Sequence, residues 1–247
     1  MGTKMSLQRI SYPDRESWLQ GRQRGIGGSD AASVVGLSKW RSSTKLFEEK
    51  TGKRAAKDLD GVEYVERGIR SENAIREFFA ASYPDYDVEH HAYDILYQSE
   101  RPWLFATLDG EITETGWRDP PEGTHVVYIP ADGESEERPF DGKIPCTRHG
   151  VLEIKTARPQ GKLGWAEWDG KIPGGYYAQC LHQLLATGFD FLILYAALYG
   201  RDESVTFRPY TLERSDCQAD LEWLLDQEEQ FWRCVETGTN PGATLRF

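Results

Sequence analysis

The segment Val151-Leu152-Glu153-Ile154-Lys155 places two opposite charges inside an apolar run that is typical of a strand. Alternate side chains of a strand share one face, so Glu153 and Lys155 are predicted to be neighbours. A carboxylate, together with the Ile154 carbonyl, can hold a hard divalent cation, and a lysine can sit beside the attacking water. Taken alone, the pattern is more typical of a half-buried strand with a solvated Glu/Lys face. Its interpretation therefore depends on residues elsewhere in the chain.

Acidic and polar residues occur at defined places in three other predicted elements. The sequence predicts a helix over 66–82 that carries Glu72, a strand over 103–108 that ends at Asp109-Gly110, and a helix over 173–187 that carries Gln179. The first helix has an apolar stripe near the 3.6-residue period, formed by Ile69, Ala74, Ile75, Phe78 and Phe79. Strands are also predicted over 87–98, 189–199 and 204–210, and a long amphipathic helix over 213–236.

A glycine-rich segment near the start of the chain follows two arginines, Arg22 and Arg24. Its glycines permit tight backbone geometry and close approach to a ligand, and Ser29 or Asp30 is a good N-cap for the helix that follows. A helix start with a hydroxyl and an arginine nearby suits a phosphate. The alternative is an ordinary capped helix after a glycine-rich turn. No Walker motif is present, because no Gly-Lys-Ser/Thr follows.

Charge and composition exclude some classes of protein. The net charge of −11 disfavours a protein that binds nucleic acid through its overall charge, but it does not exclude a local basic groove. No apolar run approaches the ~20 residues of a membrane-spanning helix, and the first residues have no apolar core of a secretion signal. The four cysteines match no metal-binding spacing, and free thiols fit a reducing cytosol. We therefore expect a cytoplasmic protein without a membrane partner.

Residues 114–149 are rich in Gly, Pro, Asp and Glu and contain one apolar patch, at 125–129. This composition predicts an insertion with a possible hairpin rather than a separate domain. We accordingly interpret 1–247 as a single domain with an insertion at 114–149. The site within it consists of an acid on a helix, an acid at a strand end, the Glu-x-Lys strand and a glutamine-bearing helix. This combination suits metal-dependent phosphodiester hydrolysis, in which a divalent ion polarises the phosphate and activates water.

With these motifs in view, the chain resembles the lambda exonuclease/YqaJ-type viral recombinase nucleases, a branch of the PD-(D/E)XK superfamily. The resemblance rests on RGIGGSDAASVVGLSKW (24–40), ERGIRSENAIREFF (66–79), ATLDG (106–110), LEIK (152–155) and YYAQCLHQLLATG (176–188). It implies an α/β fold with a restriction-endonuclease-like core, in which helices flank a mixed central sheet.

The resemblance also implies roles for individual residues. Asp109 and Glu153 would be metal ligands together with the Ile154 main-chain carbonyl, and Lys155 would assist the attacking water. The remaining roles are those of Glu72 as the helix acid, Gln179 as a residue that positions water or substrate, and Arg24, Ser29 and Thr107 as the pocket for a terminal 5′ phosphate.

By the same resemblance, the protein would resect linear double-stranded DNA in the 5′ to 3′ direction, starting from a DNA end. It would use Mg²⁺, with Mn²⁺ as a substitute, since an all-oxygen site favours hard cations. A single-strand annealing protein, a homo-oligomeric ring trimer and a phage or prophage origin in a bacterial host are further implications. Two features differ from the family pattern: Leu108 stands where the superfamily name has Pro, and the interval from Asp109 to Glu153 is longer than in lambda exonuclease.

Two other functions remain open from the sequence. One is a structure-specific or restriction-like endonuclease of the same superfamily, which would cut closed circles as well as linear DNA. The other is a catalytically inactive DNA-binding protein that retains the site as a relic.

Overall fold

The structure, a computed structural model, describes residues 6–55, 63–128 and 134–242, without the side chains of 63–67, 69 and 128. Two of the sequence predictions fall partly elsewhere: the side chain of Ile69 and the end of the apolar patch at Ile129 lie outside the described residues.

Seven α-helices are seen within the described residues. They are α1 Arg15–Gly21, α2 Gly28–Val34, α3 Ser43–Lys50, α4 Glu63–Ser82, α5 Gly161–Ala166, α6 Gly174–Thr187 and α7 Gln218–Thr237.

The same residues form ten β-strands. They are β1 Leu7–Ser11, β2 Tyr86–Glu89, β3 Asp94–Gln98, β4 Phe105–Ala106, β5 Gly110–Arg118, β6 His125–Tyr128, β7 Glu136–Pro139, β8 Ile144–Ala157, β9 Phe191–Tyr199 and β10 Val205–Glu213.

The central sheet has five strands in the order β10-β9-β8-β5-β2. Strands β8 and β9 run parallel, and the other neighbours run antiparallel, so the sheet is mixed. A smaller sheet in the order β1-β3-β4 and the hairpin β6-β7 complete the strands. The predicted α/β class, with a mixed central sheet flanked by helices, is confirmed.

The two faces of the central sheet are covered by different helices. Val151 and the even-numbered residues 192–198 of β9 face α6 and α7, where Leu181, Leu184 and Leu221 are buried. Leu152 and Ile154 face the other way, toward α4, where Ile75 and Phe79 are buried. Because strand side chains alternate, Glu153 belongs to the face covered by α6. The packing of the core thus places Glu153 beneath helix α6.

Local sequence explains how the helices that frame the site begin and end. The Asp14 side chain accepts a hydrogen bond from the Ser17 N–H at the start of α1, as an N-cap does. Helix α6 follows Pro173 and ends at Gly188, whose φ of 73° is the left-handed conformation that favours glycine. Helix α3, Ser43–Lys50, begins after Ser42, whose side chain accepts a hydrogen bond from the Lys45 N–H.

The prediction of one strand over 87–98 is wrong. The segment forms β2 and β3, which belong to different sheets, because a turn separates them. Tyr93 in that turn has a φ of 64°, which a continuous strand does not allow. The strand predicted over 103–108 is limited to β4 for a similar reason, since the chain leaves the sheet again before Asp109.

The apolar stripe of α4 is narrower than predicted. Ile75 and Phe79 are buried, whereas Ala74 is exposed and Phe78 is 49% exposed. Phe78 stacks on Phe207 of β10 with ring centroids 4.7 Å apart, so it packs at the margin of the helix contact. The helix buries a single ridge of side chains and leaves the flanking apolar positions partly in water.

Much of the segment 114–149 belongs to the central sheet. The ladder between β5 and β8 continues from Gly110 opposite Leu152 to Arg118 opposite Ile144. The excursion outside this ladder is therefore 119–143, and it contains the hairpin β6-β7. The outer part of this ladder runs from the pair Ile112–Gly150 to the pair Arg118–Ile144. We call this outer part, together with residues 119–143, the arm.

In the described residues, no helix combines the length and apolar character needed to cross a membrane. All four cysteines, at 146, 180, 217 and 234, are free thiols.

Candidate active site

Strand β8 brings Glu153 and Lys155 together as predicted. The Lys155 ammonium contacts Glu153 Oε1 directly, and the side chains are 20% and 2% exposed, respectively. The Lys155 ammonium also lies 5.4 Å from the centre of the Tyr176 ring. A buried carboxylate is stable only when it is paired and hydrogen-bonded, and Glu153 meets this requirement through neighbours from its own strand and from α6.

Two glutamines of α6 complete the surroundings of Glu153. Gln179 Nε2 donates to Oε1 at 2.7 Å, and Gln183 Nε2 donates to Oε2 at 2.5 Å. The residues are four apart and so share one face of the helix. The sequence analysis assigned a role to Gln179 but not to Gln183. The i, i+4 spacing of the two glutamines on the helix that covers the strand could have indicated that both contact the same residue.

Asp109 reaches β8 at the end of the ladder. Its Oδ2 accepts a hydrogen bond from the Ile154 N–H at 2.8 Å, two residues past the last pair of the β5–β8 ladder, Gly110 with Leu152. The N–H and C=O of one strand residue point to the same edge, so the Ile154 carbonyl also faces the Asp109 side. The structure therefore gathers Asp109, Glu153 and Ile154 at one end of the sheet.

Glu72 joins these acids from α4. Burial raises the pKa of Glu72, and the negative charge of Glu153 raises it further. The pKa of Asp109 is raised well above its ordinary value by burial first, and then by the charges of Glu153 and Glu72. Three carboxylates thus lie close enough to repel one another, which is the situation that a bound cation relieves.

Lys155 stays protonated in this surrounding. Burial lowers its pKa, but the charges of Glu153 and Asp109 more than offset that effect, so the pKa is raised. The side chain is therefore a hydrogen-bond donor and a positive charge, suited to orienting water or phosphate.

Arg76 is a second cation at the site that sequence reasoning missed. Its Nε donates to the Asp109 carbonyl oxygen at 2.5 Å, and its Nη1 donates to Asn73 Oδ1 at 3.0 Å. It follows Glu72 by four residues on α4, so both face the same way. With Lys155 it leaves one negative charge in excess among the three carboxylates.

The donor set fits a hard divalent cation. No group of three or more His, Cys, Asp or Glu side chains within the described ranges is arranged to hold a metal ion. Magnesium usually takes only one or two carboxylates and keeps several waters, so Asp109 and Glu153 with the Ile154 carbonyl are a sufficient oxygen set.

The glycine-rich segment places Ser29 against Arg22 rather than Arg24. Arg22 Nη2 lies 3.3 Å from Ser29 Oγ, and its guanidinium stacks over the Trp18 ring at 4.6 Å. No carboxylate of the described residues forms an ion pair with Arg22. Arg24 is exposed in the turn before Gly25. Arg22, and not Arg24, is thus the arginine beside Ser29.

Thr107 is half-buried directly after β4. No hydrogen bond joins it to Arg22 or Ser29 in the part of the chain that the structure describes. Its place in a phosphate pocket stays a prediction.

Asp30, the residue after Ser29, is buried and has a structural role. Its carboxylate accepts from the Gly27 N–H at 3.1 Å, pairs with Lys50 at 3.0 Å and contacts Arg41. Burial opposes ionisation, but Lys50 and Arg41 hold its pKa well below the ordinary value. Gly27, and not Ser29 or Asp30, is the N-cap of α2, because the Asp30 side chain bonds back to the Gly27 backbone.

Comparisons with known proteins show the family to which the chain belongs. Residues 17–190 match the YqaJ-like viral recombinase domain. The uncharacterized protein YqaJ of Bacillus subtilis (strain 168) is 26% identical over 238 residues, which cover 92% of this chain and 58% of that protein. The chain thus spans little more than half the length of this relative.

Two solved structures share the fold. They are the alkaline exonuclease LHK-Exo from Laribacter hongkongensis, with a TM-score of 0.60, and LHK-Exo in complex with dAMP, with a TM-score of 0.58. Each is 16% identical, and each alignment covers 91% of this chain and 94% of the other.

Proposed function

The chain belongs to the YqaJ-like viral recombinase domain family, and on that premise we propose that it is a metal-dependent deoxyribonuclease. The finer proposal is a 5′ to 3′ exonuclease that resects linear double-stranded DNA for recombination by single-strand annealing. The observation that carries it is the meeting of Asp109, Glu153 and Lys155 at one end of β8, with Asp109 bonded to the Ile154 N–H.

The residues divide the work of phosphodiester hydrolysis. Asp109, Glu153 and the Ile154 carbonyl would hold Mg²⁺, for which Mn²⁺ could substitute. The cation, when bound, would supply polarisation of the phosphate and a lower pKa for water. Lys155, which stays protonated, would donate a hydrogen bond that orients the attacking water in line with the leaving oxygen.

Two further residues support that chemistry. Gln179 fixes one oxygen of Glu153, and Glu72 adds a third negative charge, which favours the presence of a cation. Gln179 thus acts on the geometry of the metal-binding acids, and Glu72 acts on their electrostatics.

The end of the DNA would be read at the Arg22–Ser29 pocket. Arg22 has a positive charge without a carboxylate ion pair in the described structure, and Ser29 offers a hydroxyl beside it. A guanidinium suits the planar recognition of phosphate. The complex of LHK-Exo with dAMP supports a nucleotide as the type of ligand. We therefore assign the 5′ phosphate contact to Arg22 rather than to Arg24.

The biological setting that we propose follows from the family. The partner would be a single-strand annealing protein, and the active form a homo-oligomer, with a ring trimer as the expected state. The site of action would be the cytoplasm of a bacterial host that carries a phage or prophage. Gel filtration with light scattering tests the oligomer independently of activity.

Digestion of three DNA substrates tests the activity. Linear duplex with a 5′ phosphate, linear duplex with a 5′ hydroxyl and closed circular DNA are each incubated in Mg²⁺, in Mn²⁺ and in EDTA. Mg²⁺-dependent loss of only the linear DNA, faster with the 5′ phosphate, is the expected result. Cutting of the closed circle would replace the proposal by an endonuclease, and no cutting in Mg²⁺ or Mn²⁺ would leave a DNA-binding protein with a relic site.

A further inference from the structure

Helix α2 packs closely against α6 at Gly28. A methyl group added at Gly28 would lie 3.2 Å from Gln179 Cγ and 3.4 Å from Gln183 Cγ. The first distance is tighter than most Cβ contacts, so Gln179 would have to shift by a few tenths of an ångström, whereas the second lies at the edge of ordinary van der Waals contact. Gly28, the first residue of α2, therefore packs against the two side chains that bind Glu153.

Gln183 is the more buried of these glutamines and the less well satisfied. It is 1% exposed, its Nε2 donates to Glu153 Oε2, and its Oε1 is buried without a hydrogen-bond partner among the described residues. Leaving a buried polar atom unpaired costs about 1–3 kcal/mol. An apolar residue of the same length would avoid this cost, so the packing of α6 does not explain the glutamine. The contact with Glu153 does.

The two amides act on different oxygens of the same carboxylate. Gln179 binds Oε1 and Gln183 binds Oε2, so rotation of the carboxylate about its last bond would break both hydrogen bonds. Neither amide changes charge with pH. Together they fix the plane of the carboxylate, while the single contact of Lys155 does not.

We propose that Gln183 is a positioning residue that holds Glu153 in the orientation in which it binds the cation, and that Gly28 lets α2 pack against Gln179 and Gln183 and so keeps both amides on Glu153. Ser29, the next residue of α2, lies in the pocket assigned to the 5′ end. Seating of the DNA end and orientation of the metal-binding acid are thereby joined by one packing contact. This inference rests on the proposed metal chemistry and deepens it.

The test measures Mn²⁺ binding to the DNA-free protein by electron paramagnetic resonance. Gln183→Leu is expected to weaken Mn²⁺ binding about 10-fold or more, the usual effect of removing a partner of a metal ligand. Gln98→Leu is the matched control: Gln98 is 7% exposed and donates to the Thr187 carbonyl at 2.6 Å, away from the acids. Its Mn²⁺ affinity should equal that of the wild type.

A second test substitutes two glycines, Gly28 and Gly175, and removes no hydrogen-bonding side chain. Gly28→Ala should weaken Mn²⁺ binding in the same direction. Gly175→Ala should not, because a methyl group there meets only the ordinary contacts of Ala32 Cβ at 3.7 Å and the Leu37 carbonyl oxygen at 3.9 Å. This pair decides the matter if Gln183→Leu fails to fold.

Activity provides the second readout. With linear DNA, Gln183→Leu should lower kcat and leave KM unchanged, and excess Mn²⁺ should restore cleavage, which a general folding defect would not allow. Wild-type Mn²⁺ affinity in both a folded Gln183→Leu and Gly28→Ala would overturn the positioning role. If the wild type binds Mn²⁺ but cleaves no DNA, the proposed function fails while the Mn²⁺ comparison still decides the role of Gln183. A wild type that binds no Mn²⁺ overturns both.

Discussion

The carboxylate of Asp109 takes the backbone N–H of Ile154 at 2.8 Å, and Ile154 follows Glu153 directly in the chain. One acid is therefore tied by hydrogen bond to the strand that carries the other. The spacing of the two acids depends on the backbone of β8 and not on a flexible side-chain contact. A cation site needs its ligands at a fixed spacing. In the absence of the cation, the carboxylates of Asp109 and Glu153 repel each other at this spacing.

Asp109→Asn is expected to abolish cleavage and to stabilise the cation-free protein. The raised pKa of Asp109 means that the folded state binds a proton more tightly than the unfolded state, so stability falls as pH rises above the ordinary value of 3.8 through the raised pKa. Asparagine keeps an acceptor for Ile154 without the charge. We expect a gain of about 1 kcal/mol near pH 7, or roughly 2–4 °C in Tm.

Thermal melts with and without Mg²⁺ check this prediction. Mg²⁺ should raise the Tm of the wild type and leave that of Asp109→Asn unchanged. The exposed Asp85 provides the control change Asp85→Asn, which should behave as the wild type does. If Asp109→Asn has a lower Tm than the wild type in EDTA, the charge of Asp109 does not destabilise the cation-free protein.

Lys155→Met should reduce kcat by about 10²–10⁴-fold, the range for loss of a group that handles a proton or orients water. The folded state should also lose stability, because Glu153 would keep a buried charge without its cation. Gel assays on linear duplex give the rate. Lys143→Met, at an exposed ion pair with Asp119 in the arm, is the control and should retain full activity.

Arg22→Ala and Arg24→Ala separate two assignments of the 5′ pocket. Because Arg22 contacts Ser29, Arg22→Ala should remove the preference for a 5′ phosphate over a 5′ hydroxyl, with a loss of about 10-fold or more, in keeping with about 1.5–3 kcal/mol for a charged hydrogen bond. Arg24→Ala should keep the preference. The opposite result would return the contact to Arg24. The ratio of the two rates for each variant is the measurement.

The pair His182 and Glu228 should make stability depend on pH. His182 is fully buried between Glu228 Oε1, 2.7 Å from its Nδ1, and the Phe105 carbonyl, 2.8 Å from its Nε2. Burial lowers the pKa of His182, but Glu228 and Phe105 more than offset it, so the pKa lies above the ordinary 6.5. The stabilisation is fully present below pH 6.5 and is lost as pH rises through the raised value.

Urea unfolding at a series of pH values measures this effect. His182→Gln should be less stable than the wild type at pH 6 by about 3 kcal/mol, the cost of breaking a buried pair. The gap should narrow at higher pH. A constant gap across the series would show that His182 is neutral in the folded protein.

Much of the site was predictable because it depends on local sequence. The Glu-x-Lys strand, the acid after a short strand and the glutamine-bearing helix are each visible as residue types at fixed spacing. The fold class followed from the family resemblance that these elements carry. Arg76 and Gln183 were not found, since each acts across elements: Arg76 on the carbonyl of Asp109 and Gln183 on Glu153. Their spacing on a helix gives a direction, but only the tertiary structure shows what lies there.

The choice between Arg22 and Arg24 shows the same limit. Both precede the glycines, and both fit the motif. The 3₁₀ turn of residues 22–24 decides which guanidinium faces Ser29, and a difference of two residues in such a turn carries no signature in the sequence. The two-sheet division of 87–98 was missed because the break occurs at an ordinary tyrosine in the left-handed region.

The ladder of β5 and β8 gives each residue of β8 a fixed phase with respect to the two faces of the sheet. A single residue inserted between Ile144 and Glu153 would put the side chains before it out of phase with those after it, whereas a pair of residues would lengthen the strand and keep the phase. Arg118 and Ile144 face each other at the outer end of the ladder, so any number of residues can be exchanged between them without changing that phase. Changes of length over 119–143 should therefore leave the site in place, whereas an odd insertion on the site side of that boundary would need a β-bulge to preserve it.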